Sequence, residues 1–142
     1  MSAENCPYCH SGPALADFAI KICDLSEYSS LYLFKEQSHL GRMVVAYRGH
    51  VSEIVDITPE QLQGFMADVA RIARLIHKMF HPQKVNYGAF GDLNPHLHFH
   101  LVPKYEGQFE WGGTFQMNPR AVMLSDTEYE NMIGRIKKEL PT

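Results

Sequence analysis

The chain has 142 residues, 45% hydrophobic and 20% charged, the balance of an ordinary globular domain that can fold without disulfide staples and is too apolar for a disordered or fibrous chain. With 13 basic and 16 acidic residues the formal charge is -3, which argues against a nucleic-acid polymer as partner, so any phosphate binding has to be local. No apolar run approaches the length that spans a bilayer, and MSAENCPYCH has neither the basic start nor the apolar core of a signal peptide, so the expectation is a cytoplasmic chain without membrane association.

The three cysteines, Cys6, Cys9 and Cys23, then read as thiols or metal ligands. Cys6-Pro7-Tyr8-Cys9 is a C-x-x-C whose spacing lets both sulfurs reach one zinc ion, although a pair of ordinary thiols and a redox motif share that spacing. A closed zinc site needs two more ligands, and with no second cysteine pair histidines must supply them. Short runs rich in β-branched and aromatic residues predict strands over 18–23, 30–34 and 43–47. A long helix is predicted from 59 to 80: Thr58 can cap it, Pro59 suits its first position and Gln61 can complete a capping box. Its apolar residues Leu62, Phe65, Met66, Val69, Ile72, Ala73, Ile76, Met79 and Phe80 recur at three- and four-residue spacing, marking one face as core. Strands at 85–90 and 96–102 follow, joined by Gly91-Asp92-Leu93-Asn94-Pro95 read as the tight turn of a hairpin. A final helix begins at Ser125, where S-D-T-E offers a second capping box, and ends at Lys137 and Lys138, well placed against its negative end. Strands, a long helix, two strands and a helix favour an α+β fold with an antiparallel sheet of about five strands. No repeat, low-complexity tract or linker divides the chain.

The segment Asn94-Pro95-His96-Leu97-His98-Phe99-His100-Leu101-Val102-Pro103 sets three histidines at alternate positions. On a strand they share one face, roughly 6 to 7 Å apart. Three adjacent imidazoles would cost desolvation for nothing in a core. Two functional readings remain: a mononuclear metal site using two or three of them, or nucleophilic and acid-base chemistry on phosphate.

HLHFHLV resembles the His-x-His-x-His pattern of the histidine triad (HIT) family. The stretch from Gly41-Arg42-Met43-Val44-Val45 through Arg48-Gly49-His50, with the long helix after it, is similar to that family's glycine, apolar strand and basic-residue-plus-histidine segment. Asn86, ten residues before His96, stands where family members commonly carry a ribose-binding asparagine. The match spans about residues 5–105 and implies a single HIT-like domain over 1–142, with a C-terminal helical extension at about 125–140. It also implies a structural zinc held by Cys6, Cys9, His50 and His96, which leaves His98 and His100 free for chemistry, and a homodimer formed through the long helix and a sheet edge. Among the other histidines, His10, His39, His77 and His81 read as surface or helix-end residues, with His10 the rival ligand because it adjoins Cys9.

There are departures from the family pattern. The acidic residue that reads the ribose hydroxyls has its candidate in Glu36, within Leu33-Phe34-Lys35-Glu36-Gln37. The Gly-Gln-Ser-type lead into the triad is replaced by residues 91–95, where Asn94 and backbone N–H groups stand in for its phosphate contacts and Asp92 is an unexpected acid. Glu110-Trp111-Gly112-Gly113-Thr114 could cap a nucleotide but reads first as a turn. The activity implied is hydrolysis or nucleotidyl transfer at the α-phosphorus of nucleoside phosphoramidates or dinucleoside polyphosphates. Neutral His98 attacks phosphorus, a backbone carbonyl fixes its tautomer, and a nucleotidyl-histidine intermediate passes to water or another acceptor. His100 holds a non-bridging oxygen or helps protonate the leaving group. A nonenzymatic nucleotide-binding zinc protein and a metal-dependent hydrolase with the triad on a catalytic ion are the alternatives.

Overall fold

The computed structural model describes residues 2–10 and 12–140. A 3-10 turn, Ala3–Asn5, and a short helix α1, Pro13–Ala16, precede the strands β1, Ala19–Asp24, β2, Ser29–Phe34, and β3, Met43–Tyr47. A second 3-10 turn, Ile54–Asp56, leads into α2, Pro59–Phe80, followed by β4, Lys84–Gly88, β5, His98–Lys104, and α3, Asp126–Glu139. The strands form one antiparallel sheet in the order β1-β2-β3-β5-β4. The architecture is the expected α+β fold, and only the short 3-10 turns and α1 have no counterpart in the strand and helix patterns.

Both long helices start where their caps predict. The Thr58 hydroxyl accepts from the Gln61 N–H at 3.2 Å while the Gln61 side chain accepts from the Thr58 N–H at 2.9 Å, and Ser125 with Glu128 repeats the reciprocal pair at the start of α3. On α2 the buried stripe is Phe65, Val69, Ile72, Ala73, Leu75 and Ile76. It packs on the sheet face carrying Leu31, Leu33, Met43, Val45 and Leu101, and Tyr129, Met132 and Ile136 of α3 join the same cluster. Full burial of each large side chain there contributes about 1.5–3 kcal/mol. Met66, counted in the apolar stripe, lies instead on the outer face at 38% exposure, because it follows Phe65 by one residue and so points about 100° away. Asp68 is buried within the stripe and accepts from the hydroxyls of Ser26 and Ser29, tying the β1–β2 turn to the helix.

The β4–β5 connection differs from the expected tight hairpin turn. It runs from 89 to 97, and the last strand starts at His98 rather than His96. The cause is a competing set of partners: Leu97 donates to the Val51 carbonyl at 2.7 Å and accepts from Tyr47 N–H at 2.9 Å, drawing residues 96 and 97 toward the loop after β3.

The opposite face of the sheet, the one bearing His98 and His100, is covered by two irregular segments. Cys6, Tyr8 and Leu15 pack on Ala19, Tyr32, Phe34, Val44 and Ala46. Residues 105–123, without helix or strand, cross the other half and are held by buried polar groups. The Lys104 ammonium donates to the carbonyls of Glu110 and Gly113 at 2.6 and 2.9 Å. His39 Nε2 meets the Glu110 carboxylate at 2.6 Å. Glu36 accepts from the Val122 N–H at 2.7 Å and from the Ser38 N–H and hydroxyl. His39 is therefore buried, 6% exposed, and not the surface residue expected. Burial alone would raise the Glu36 carboxyl, but the donors from Ser38, Val122 and Arg120 outweigh it and hold the group below its ordinary value.

Glu36→Gln, which leaves one donor facing an amide N–H, is expected to lower stability by roughly 1–3 kcal/mol at neutral pH. A depressed carboxyl contributes stability above its unfolded value, 4.5, and loses it as pH falls through the folded-state value, so the gap to wild type should shrink at about pH 3. Urea midpoints of both proteins at the two pH values check this.

Candidate active site and metal centre

Four donors meet where the N-terminal segment crosses the sheet. A turn in which the N–H groups of Cys9 and His10 both donate to the Cys6 carbonyl, each at 3.2 Å, folds the C-x-x-C back on itself. His50 comes from the loop after β3 and His96 from the connection before β5. Cys6 Sγ lies 3.2 Å from His96 Nδ1, and Cys9 Sγ lies 3.3 Å from His50 Nδ1 and 3.6 Å from His96 Nδ1. All four ligand atoms fall within 4.8 Å of one another. Tetrahedral zinc, with bonds of about 2.3 Å to sulfur and about 2.0 Å to nitrogen, separates such atoms by roughly 3.6 Å, so the cluster could hold one zinc ion with small adjustment, and its sulfur and imidazole donors suit that metal. Burial, and then the hydrogen bond with Cys6, push the metal-free Cys9 thiol up to about 11, so metal binding would release protons. His10 is exposed and stands outside the cluster.

Each ring of the triad faces a partner whose hydrogen-bonding role is fixed. His96 Nε2 lies 2.6 Å from the Tyr47 carbonyl oxygen, which only accepts, so the proton is on Nε2 and the Nδ1 lone pair points at the sulfurs. His98 Nδ1 lies 2.5 Å from the His96 carbonyl oxygen; its proton is on Nδ1, and Nε2 carries the lone pair. His100 Nδ1 lies 3.1 Å from Arg42 Nη2, which only donates, so His100 carries its proton on Nε2. Adjacent catalytic candidates thus hold opposite tautomers. Burial lowers the pKa of His96 and of His98. Burial first, then the Arg42 cation, push His100 down to about 2.

His98 lines a cavity of about 520 Å³ walled by Tyr8, Phe18, Phe34, Phe90, Phe115 and Met117, with residues 91–94 along one edge. That is the size of a nucleoside-scale ligand pocket, mostly apolar with a few polar groups. The Tyr8 ring is 5.0 Å from His98, and Phe34 stands edge-on to His100 at 5.0 Å. Gly88 pairs with His100 across the sheet, and its missing side chain is required: a Cβ there would meet Phe115 at 2.5 Å and Phe90 at 2.6 Å.

The structure brings some of the expected binding residues to this cavity and not others. Asn94 lines it, and its buried Oδ1 has no hydrogen-bond partner in the protein, leaving an acceptor for a ligand donor. Asp92 lines it as well. Asn86 instead borders a neighbouring groove of about 370 Å³ with Lys84, Lys104, Trp111, Gly112 and Gly113. Glu36 lines neither, its carboxylate being occupied by Ser38 and Val122. Tyr8, Arg42, Phe90 and Phe115 had no role in the sequence reading. Tyr8 carried a usable signal, since it lies between two clustered ligands and must follow their placement; Phe90 and Phe115 carried none.

The chain thus sets a five-stranded antiparallel sheet between a long helix on one face and the alternating histidines on the other. The HIT domain family matches residues 32–107, more than half of the chain, and the chain belongs to that family. It is 38% identical over 77 residues to the AP-4-A phosphorylase of Mycobacterium tuberculosis strains CDC 1551 and H37Rv, a match covering 50% of this chain and only 36% of those relatives. Among solved structures it is similar to a histidine triad protein of Bradyrhizobium japonicum, with TM-score 0.81, 23% identity, and coverage of 92% of this chain and 96% of that one. A Zn-bound histidine triad family protein of Mycobacterium smegmatis has TM-score 0.66 at 23% identity, with coverage of 98% and 95%.

Elemental analysis of the purified protein is expected to give one zinc per chain. Cys6→Ser should lose the metal and lower the melting temperature, while His10→Ala should keep both, as read by metal content and thermal unfolding.

Proposed function

We propose that the chain is a nucleotide hydrolase or nucleotidyltransferase acting at the α-phosphorus of nucleoside phosphoramidates or dinucleoside polyphosphates, with His98 as nucleophile. The observation that carries this reading is the 2.5 Å contact of His98 Nδ1 with the His96 carbonyl oxygen, which directs the Nε2 lone pair away from the backbone on a residue that lines the cavity. In the proposed step Nε2 attacks phosphorus in line, a P–N bond forms, and the bond to the departing group breaks with its electron pair on the leaving group, a phosphate leaving as the anion and an amine leaving neutral with a proton taken from solvent water. Water or another acceptor then displaces His98. The His100 Nε2–H donates to a non-bridging oxygen as charge develops; with Nδ1 occupied by Arg42, this role suits His100 better than protonating the leaving group. The aromatic walls suit a stacked base, and Asn94 Oδ1 suits a ribose hydroxyl or base N–H. Of the other expected contacts, Asn86 would serve a longer substrate reaching the adjacent groove.

Zinc bound to Cys6, Cys9, His50 and His96 would have no open position, and its contribution is structural: it holds the N-terminal segment, and with it Tyr8, against the sheet. His98 and His100 are outside that donor set, which weighs against a catalytic ion on the triad. A cytoplasmic location suits the free thiols, and among the described residues no helix is long and apolar enough to cross a membrane.

His98→Ala is expected to lower turnover by roughly three orders of magnitude or more while leaving zinc content and the melting temperature nearly unchanged. Acid quench of wild type with a labelled phosphoramidate should trap nucleotide on His98, identified by peptide mapping; label on another residue, or near-native turnover by the variant, would sink the assignment. A homodimer is proposed as well, supported by the unpaired edges at β1 and β4 and by exposed Tyr87 and Met66. Light scattering at micromolar concentration should report two chains per particle.

A further inference from the structure

Arg42 is the largest fully buried side chain, at 0% exposure, and none of the ion pairs among the described residues includes it. Its guanidinium lies 4.2 Å from the Phe34 ring centre and 5.0 Å from that of Phe115. Nη1 donates to the carbonyls of Gln116 and Met117 at 2.9 and 3.1 Å, which anchors the segment over the cavity. Nε is buried without a partner. Nη2 lies 3.1 Å from His100 Nδ1. The carboxylates of Glu36 and Glu110 favour the cation through their charge but make no ion pair with it, so its burial remains costly, and two carbonyl anchors could be met by a smaller neutral donor. Nη2 also lies 3.3 Å from Met117 Sδ, a weak acceptor; its stronger acceptor is the His100 ring of the triad.

We propose that Arg42 is a positioning residue for His100: by covering Nδ1 with a group that can donate but never accept, it holds the ring as the Nε2–H tautomer and makes it a hydrogen-bond donor toward the transferred phosphoryl group. The inference rests on reading the cavity as a nucleotidyl-transfer site, but the pairing itself is independent of any substrate. The groups facing His100 agree with it. Val44 and Gly88 flank it across the sheet, and Phe34, Phe90 and Phe115 surround the ring. Of the charged or titratable groups among the described residues only Arg42 and His98 adjoin it, and His98 turns its own Nδ1 to the backbone. No described protein group accepts from His100 Nε2; the ring is 2% exposed and adjoins Phe34, Phe90 and Phe115 of the cavity wall, and a ligand oxygen is the acceptor the proposal assigns to it. Arg42 also places a positive charge directly behind the His100 ring, in a dry place where charge would act strongly on a phosphoryl group held by that ring.

Long-range nitrogen NMR on zinc-loaded protein labelled at the histidine nitrogens tests this directly. Wild type is expected to show His100 with bare Nδ1 and protonated Nε2, and His98 with the reverse pattern. Arg42→Met should give a mixture of His100 tautomers and lower kcat about 10- to 100-fold with little change in KM, while Arg42→Lys, which also only donates, should recover the single tautomer and most of kcat. A wild-type His100 protonated on Nδ1 overturns the proposal whether or not Arg42→Met folds, and so does an Arg42→Met protein that keeps both tautomer and kcat. The expected spectra in a protein that turns over no nucleoside phosphate would overturn the proposed function and leave the Arg42–His100 pairing standing.

Discussion

The site depends on one constraint: each imidazole of the triad meets a neighbour that can play only one part in a hydrogen bond. The carbonyls of Tyr47 and His96 accept, and the guanidinium of Arg42 donates. Three chemically identical side chains two residues apart therefore take two tautomers, His96 and His100 with the proton on Nε2 and His98 with it on Nδ1, and the bare Nδ1 of His96 turns to the sulfurs while that of His100 turns to Arg42. An imidazole in water exchanges these tautomers freely; here the exchange would leave a buried donor facing a donor or an acceptor facing an acceptor, which costs about 1–3 kcal/mol per mismatch. The tautomer of each ring follows from that penalty and from no property of the histidines themselves.

The same contact links the metal cluster to the proposed nucleophile. His96 offers its ring to the sulfurs and its carbonyl to His98, so whatever fixes His96 also aims His98. On the other flank, Arg42 joins His100 to the segment carrying Phe115 and Met117. The cavity is thus bounded by two irregular stretches of chain, neither able to hold itself in place by backbone pairing. One is gathered by the four-donor cluster and the other by a seam of buried polar side chains, Glu36, His39, Arg42 and Lys104. A long irregular loop on a protein surface is ordinarily mobile; the buried partners make this one a wall.

Much of the fold was legible because its signals are local. Capping boxes at Thr58 and Ser125 act within one helical turn, and the stripe on α2 repeats every three or four residues, so both could be read without knowing what they pack against. The exceptions have physical causes. Met66 is apolar but sits 100° from the core direction, and the 89–97 connection is longer than a hairpin turn because Leu97 pairs with the loop after β3 rather than with β4. His39 and Glu36 read as a surface histidine and a ribose contact; both are anchors, since their partners Glu110 and Val122 lie more than 70 residues away and nothing near them in the chain announces that pairing.

By itself the sequence determined the family, the antiparallel sheet with its long helix, the alternation that puts three histidines on one face, and the pairing of a C-x-x-C with histidine ligands, because each of these rests on spacing along the chain or on residue chemistry. Only the tertiary structure decided which nitrogen of each ring holds the proton, that Arg42 is buried against His100, that Asn94 reaches the cavity while Asn86 and Glu36 do not, and that five aromatic rings from distant segments wall the cavity. Those outcomes are set by contacts between groups far apart in the chain, where the donor or acceptor that completes a pair is chosen by the packing of the sheet and its two covering segments and has no imprint in either residue's neighbours.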